Sequence, residues 1–278
     1  MVLIIRLLTA FLAGACLSTA GLQMMRLFKN DLADPYCLGI GSGACLGAAS
    51  AVILFPSVVF GMLIGSFIGA FFVAILILLI ARNTKETSIL IIVGMTIGFL
   101  ASAAISFIGI HADAVKLKDY FVWTTGSFQA TNPITLIVFH GVMIFGCLKT
   151  VSNSKEFNYL LFGDEYAQMN HVSIPKLQYS SLLSASLLTA ITAALCGPIQ
   201  FVGLVAPNIA KRISRKQDFY SVYKVSYLLG GGMTVLADII VMLTDNLFPV
   251  STIMTFMSIP VVLYIVFRHE RVNNHNKA

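Results

Sequence analysis

The chain has 278 residues, of which 58% are hydrophobic and only 11% charged, with a mean hydropathy of +0.88 and a formal net charge of +6. So few charges over that length exclude an ordinary soluble domain and make the bilayer the solvent. The five cysteines (Cys16, Cys37, Cys45, Cys147, Cys196) include no C-x-x-C pair, and His111 and His140 stand alone. Neither a disulfide frame nor a metal site is indicated.

Apolar runs of about 20 residues cross a ~30 Å hydrocarbon core as helix. In chain order they fall at 2–25, 38–55, 58–80, 88–110, 133–149, 178–197, 222–244 and 249–267, with 203–212 as a shorter ninth. The alternation of a membrane barrel is absent, so the prediction is an all-α polytopic bundle. It has about nine crossings in one transmembrane domain over 1–278. Ala13-Gly14-Ala15-Cys16 hints at a lipoprotein cleavage site, yet seven further spans follow and no polar region separates them, so 2–25 reads as a span. Glycines at four-residue spacing (39/43/47, 61/65/69, 94/98) predict close helix packing within the chain. The triplet 230–232 predicts a bend.

Fifteen of the 18 Lys and Arg flank the same set of connections, leaving Arg6, Lys116 and Lys118 for the other side. By the positive-inside rule the fifteen are cytoplasmic, so the basic balance reports topology and no nucleic-acid partner. Parity then forces a second conclusion. The 178–197 run starts inside beside Lys176, and the Lys211–Lys216 cluster is inside again. The chain must therefore re-cross within 198–211, too few residues for a full span. A strand-like passage through Gly197, Pro198 and Gly203, then a half-helix starting near Pro207, satisfies this. Broken backbone at membrane depth belongs beside protein or a water-filled pathway. The N-terminus is then outside.

One cytoplasmic connection, 150–177, is polar and amphipathic. Its centre FNYLLFGDEYAQMNHV (157–172) places Asp164 and Glu165 at the start of a helix-like segment, where the dipole favours acidic residues. A chain that lives in lipid keeps such an insert when a soluble partner grips it.

Several stretches together resemble the permease family of ATP-driven importers for iron-siderophores, haem and cobalamin. Residues 30–36 (NDLADPY) with 39–44 (GIGSGA) resemble the family's NPLADPYLLGISSGA block, with Asp31 in place of Pro. WTTGS at 123–127 resembles W-x-x-G-S, and GPIQFVGLVAP at 197–207 resembles GxIGFVGLxxPH, with Asn208 in place of His. Ala237-Asp238, Phe248-Pro249-Val250 and Ile259-Pro260 resemble the closing pattern, with Ser251 in place of Gly. Gly163, Asp164, Glu165 and Ala167 match the coupling segment G-E-E-x-A-x-x-L-G, although Asn170-His171 replace its Leu-Gly. The family begins with one more helix and a cytoplasmic N-terminus; this chain begins at what resembles the second helix, and an outside N-terminus without leading charge favours a start site placed too late.

The resemblance implies a permease of the bacterial cytoplasmic membrane without catalytic residues or cofactors of its own, ATP being bound by partner ATPase subunits. Those subunits grip 163–167. A second permease, identical or paralogous, completes the pore within the lipid, and a substrate-binding protein docks outside. Arg6 aligns with a docking arginine of the family, and Lys116 and Lys118 are further docking candidates. No G-x-x-x-x-G-K-[ST] loop is present. An iron(III) chelate is the favoured cargo, ahead of haem and cobalamin. Asp238, inside a span, is a functional candidate by position, although a helix-packing hydrogen bond is the favoured reading. The rivals are an ion-coupled transporter using Asp238 and the broken segment, for which no inverted repeat is evident in the sequence, and a truncated inactive copy.

Overall fold

The computed structural model describes residues 2–54, 58–83, 87–128 and 133–275; Lys85 and Lys277 of the charge map lie outside them. Every regular element in the described residues is helical. These are α1 (Val2–Leu27), α2 (Ile40–Leu54), α3 (Val58–Asn83), α4 (Thr87–His111), α5 (Ala114–Thr124), α6 (Pro133–Ser152), α7 (Ser154–Leu160), α8 (Asp164–Met169), α9 (Ile174–Cys196), α10 (Val202–Ile213), α11 (Phe219–Leu243) and α12 (Val250–His275). A 3-10 turn, Pro35–Leu38, precedes α2.

Five helices are long and apolar enough to cross a membrane, within α1, α3, α4, α9 and α11. Shorter apolar stretches in α2, α6 and α12, together with α10, occupy the other expected crossings. α1 and α9 are the most enclosed of the five, and α4 the least. The core therefore runs along α1 and α9, wrapped by the rest.

Glycine sets the closest approaches. A Cβ on Gly47 would lie 2.0 Å from the Gly65 carbonyl oxygen, and one on Gly69 2.2 Å from that of Gly43. The two four-residue repeats thus interlock α2 with α3, as their spacing predicts. Two glycines of the triplet at 230–232 also serve close packing. α11 runs unbroken through it, and a Cβ at Gly230 would meet the Gly14 oxygen at 2.5 Å and one at Gly231 the Phe11 ring. Those two glycines make room for α1.

The helix order also contains a repeat that the residues conceal. α1–α4 and α9–α12 both run long, short, long, long. α1 packs on α11 as α9 packs on α3, and α2 packs on α3 as α10 packs on α11.

Candidate functional site: a pathway cavity and a coupling segment

α9 ends at Gly197, whose φ of 76° is one that L side chains rarely adopt. A Cβ there would also approach the Trp123 carbonyl oxygen to 2.5 Å. Ser127 N donates to the Cys196 oxygen at 2.9 Å, and Ser251 N to that of Thr125 at 3.1 Å. The stretches 123–127, 196–198 and 249–251, far apart in sequence, therefore meet at one place. Beyond Pro198 the chain passes without regular structure to Phe201, a non-glycine residue held left-handed at φ 69°. Its carbonyl accepts from Leu204 N and Val205 N at 3.1 and 2.8 Å, which starts α10.

α10 therefore begins at Val202, five residues before the expected start at Pro207, and Pro207 lies inside the helix. The left-handed turn at Phe201 nucleates the helix early. Pro207 cannot donate to the Gly203 carbonyl four residues back, and Gly203 serves close packing instead. A Cβ at Gly203 would sit 2.9 Å from both the Leu17 oxygen and Asp34 Oδ1, and one at Gly21 would lie 1.8 Å from the Gly203 oxygen.

The break opens on a cavity of about 830 Å³ between α2, α4, α5, α10 and α12. Its walls include Asp34, Tyr36, Cys37, Tyr120, Gln200 and Thr255. Tyr36 accepts at its hydroxyl from Ile199 N at 3.1 Å, which ties the 3-10 turn to the broken segment. Asp34 caps that turn and is only 6% exposed. Polar groups here are mostly hydroxyls, with one amide, Gln200. Pro198 lines this cavity, whereas Gly197, Gly203, Pro207 and Asn208 lie behind its wall and are not among its lining residues.

Asn208 is buried and donates to the Asp31 and Leu204 carbonyl oxygens at 2.8 and 2.9 Å. Lys211 forms an ion pair with the Asp31 carboxylate. Two positions where the sequence departs from the family pattern, Asp31 and Asn208, thus touch each other and tie α10 to the 28–34 connection.

The coupling segment forms α7 and α8. Gly163 has φ 111° and caps α8, and nothing lies within 4 Å of a Cβ placed there, so backbone conformation alone selects glycine. Ala167 is fully buried and Glu165 exposed. Asp164 is paired with Lys29 at 2.8 Å, both side chains about half exposed. Around them Leu161, Phe162, Tyr166 and Met169 are all exposed, Phe162 by 74% and Met169 by 79%. Sequence reasoning singled out the two carboxylates and missed this apolar face. The signal was present: a Phe and a Met in an insert that parity places in water.

Arg6 and Asp238, predicted separately, meet. Arg6 Nε donates to both Asp238 oxygens at 3.1 and 2.9 Å, and Nη2 to Oδ1 at 2.7 Å. Asp238 is fully buried, and a buried carboxylate needs such a partner. The guanidinium is thus turned onto α11 and away from the outer surface. Lys116 and Lys118 lie on α5, half-buried and exposed respectively.

Known proteins resemble this chain in sequence and fold. The ABC transporter permease protein YvrB of Bacillus subtilis, itself uncharacterised, is 32% identical over 96% of this chain and 77% of its own length. The cobalamin import system permease protein BtuC of Halobacterium salinarum is 29% identical over 94% and 71%. A solved inward-facing structure, of a protein assigned to the metal-chelate type of ABC transporter, superposes with a TM-score of 0.87 at 25% identity, covering 96% of this chain and 87% of that one. The FecCD transport family model matches residues 1–268. The chain, a multi-pass membrane protein, belongs to the FecCD transport family.

Proposed function

We propose that this protein is the permease subunit of an ABC importer for a metal chelate. It alternates access between the two membrane faces when separate ATPase subunits drive it. The observation that carries this reading is the exposed apolar face of α8 and the turn that joins it to α7. Four large apolar side chains and a free carboxylate, Glu165, stand in water on a segment whose backbone is otherwise well anchored. An exposed apolar patch of this kind with a polar rim fits a protein interface. A soluble ATPase is the partner that the coupling motif implies, with Phe162 and Met169 as anchors and Glu165 as the charged contact.

The cavity supports the transport half of the reading. At about 830 Å³ it matches a chelate better than an inorganic ion, and a second permease copy against it would complete a pore. The cobalamin relative and the metal-chelate structure favour the same class of cargo. Iron(III)-siderophore is the specific cargo we assign, ahead of haem and cobalamin. The ion-coupled rival as built on Asp238 lacks its free carboxylate, because Asp238 is occupied by Arg6. With Arg6 committed, Lys116 and Lys118 are the remaining basic candidates for docking a substrate-binding protein.

Co-expression with a candidate ABC ATPase subunit tests the reading. The two are expected to co-purify and to import an iron(III) chelate into vesicles at the expense of ATP. Phe162→Asp with Met169→Asp should abolish the complex while the permease still accumulates. Uptake that persists without any ATPase and collapses with a protonophore would sink it.

A further inference from the structure

The coupling segment holds the bundle by two unequal grips. On the α8 side the polar grip is the exposed Lys29–Asp164 pair, which solvent screens and which is weak by nature, beside the small buried contact of Ala167. On the α7 side it is buried. Phe157 and Phe219, both fully buried, stack with ring centroids 4.4 Å apart and planes 14° from parallel. Beside them Asn158 Oδ1 accepts from Phe219 N at 2.7 Å. Phe219 is the first residue of α11, so a side chain of α7 satisfies one of the amides that a helix leaves unpaired at its start. Asp218 satisfies another through Ser221 N at 3.0 Å. α7 is therefore part of the N-terminal cap of α11. α8 is held to α7 by the tilted ring contact of Tyr166 with Tyr159, and to the turn between them by that of Tyr166 with Phe162.

At its other end α11 is equally committed. It runs unbroken for 25 residues, roughly 37 Å at helical rise. Near its C-terminus Asp238 binds Arg6 of α1.

We infer that α7, α8 and α11 move as one body, so that α11 is the arm carrying displacement of the coupling segment to α1 on the opposite face. Asn158 is the positioning residue that joins segment to arm. This rests on the importer reading above. It assigns α11 to transmission, where the coupling motif names only the surface that is pulled. The Lys29–Asp164 pair, being weak, lets the 28–34 connection slip relative to α8 as the arm moves.

The test uses the full permease–ATPase complex in proteoliposomes, with spin labels on unnatural amino acids so that the native cysteines stay in place. One pair is Gln168 with Lys224, on α8 and α11; the other is Gln168 with Ile89, on α8 and α4. On ATP binding the 168–224 distance is expected to stay constant while 168–89 changes. Asn158→Leu should release the arm, raising ATP hydrolysed per chelate imported at least about fivefold. Asn158→Asp, which keeps the acceptor, should leave that ratio unchanged. A 168–224 distance that shifts as much as 168–89, or an unchanged ratio in Asn158→Leu, overturns the arm. If neither distance responds to ATP, the importer reading itself fails.

Discussion

Arg6 closes Asp238 with three donor contacts of 2.7–3.1 Å, and the carboxylate it closes has no exposure at all. Removing one partner strands the other in a low-dielectric site. Asp238→Ala is therefore expected to cost about 3–5 kcal/mol, read as a lowered melting temperature of the purified permease in detergent. Arg6→Leu combined with Asp238→Leu should recover most of that loss. A double variant as unstable as the single would show that the pair does more than neutralise charge.

Gly163→Ala isolates backbone conformation from packing. No atom lies within 4 Å of the added methyl, but φ 111° is hostile to any L side chain. The cost, about 1–3 kcal/mol, falls on the start of α8 alone. Normal accumulation with weakened ATPase co-purification is the expected result.

Gly21→Ala probes the opposite situation, pure contact. The new methyl would overlap the Gly203 backbone at 1.8 Å, with no flexible side chain able to yield. α1 and α10 must separate, so the variant should fail to accumulate in membranes. Substitution of Gly141, where a Cβ meets nothing within 4 Å, is the matched control.

Asp218 supplies a pH signature outside the membrane. Hydrogen bonds from the Ser221 side chain, then its amide, hold this carboxyl below the usual carboxylate range. A lowered folded-state pKa means that the stabilisation is complete above the ordinary value near 4 and is lost as pH falls through the lowered one. Asp218→Ala should thus cost about 1 kcal/mol at neutral pH, unchanged down to about pH 5, with the gap to wild type closing only in stronger acid. A gap that closes near pH 7 would contradict this cap.

The spans were legible because lipid demands long apolar helices, and the re-crossing at 198–211 because charge parity left no alternative. The start of α10 was not legible. Pro207 suits a first helical turn by propensity, but the left-handed Phe201, which only packing stabilises, begins the helix earlier. Arg6 and Asp238 were each visible, yet nothing in one sequence links residues 232 positions apart. The packing role of Gly230 and Gly231 was hidden for the same reason, since what they adjoin, Gly14 and Phe11, lies on another helix. The repeated plan of α1–α4 and α9–α12 resides in helix order and contact, to which side-chain identity is largely indifferent.

The walls of the cavity also hold Cys37, an exposed thiol, and the half-buried Cys45, whereas Cys16 and Cys196 are enclosed in the bundle and the half-buried Cys147 is not among the lining residues. The protein thus carries its own accessibility reporter. A membrane-impermeant thiol reagent applied to one face and then the other would read which way the pathway opens in the unaltered chain, and nucleotide should invert the answer.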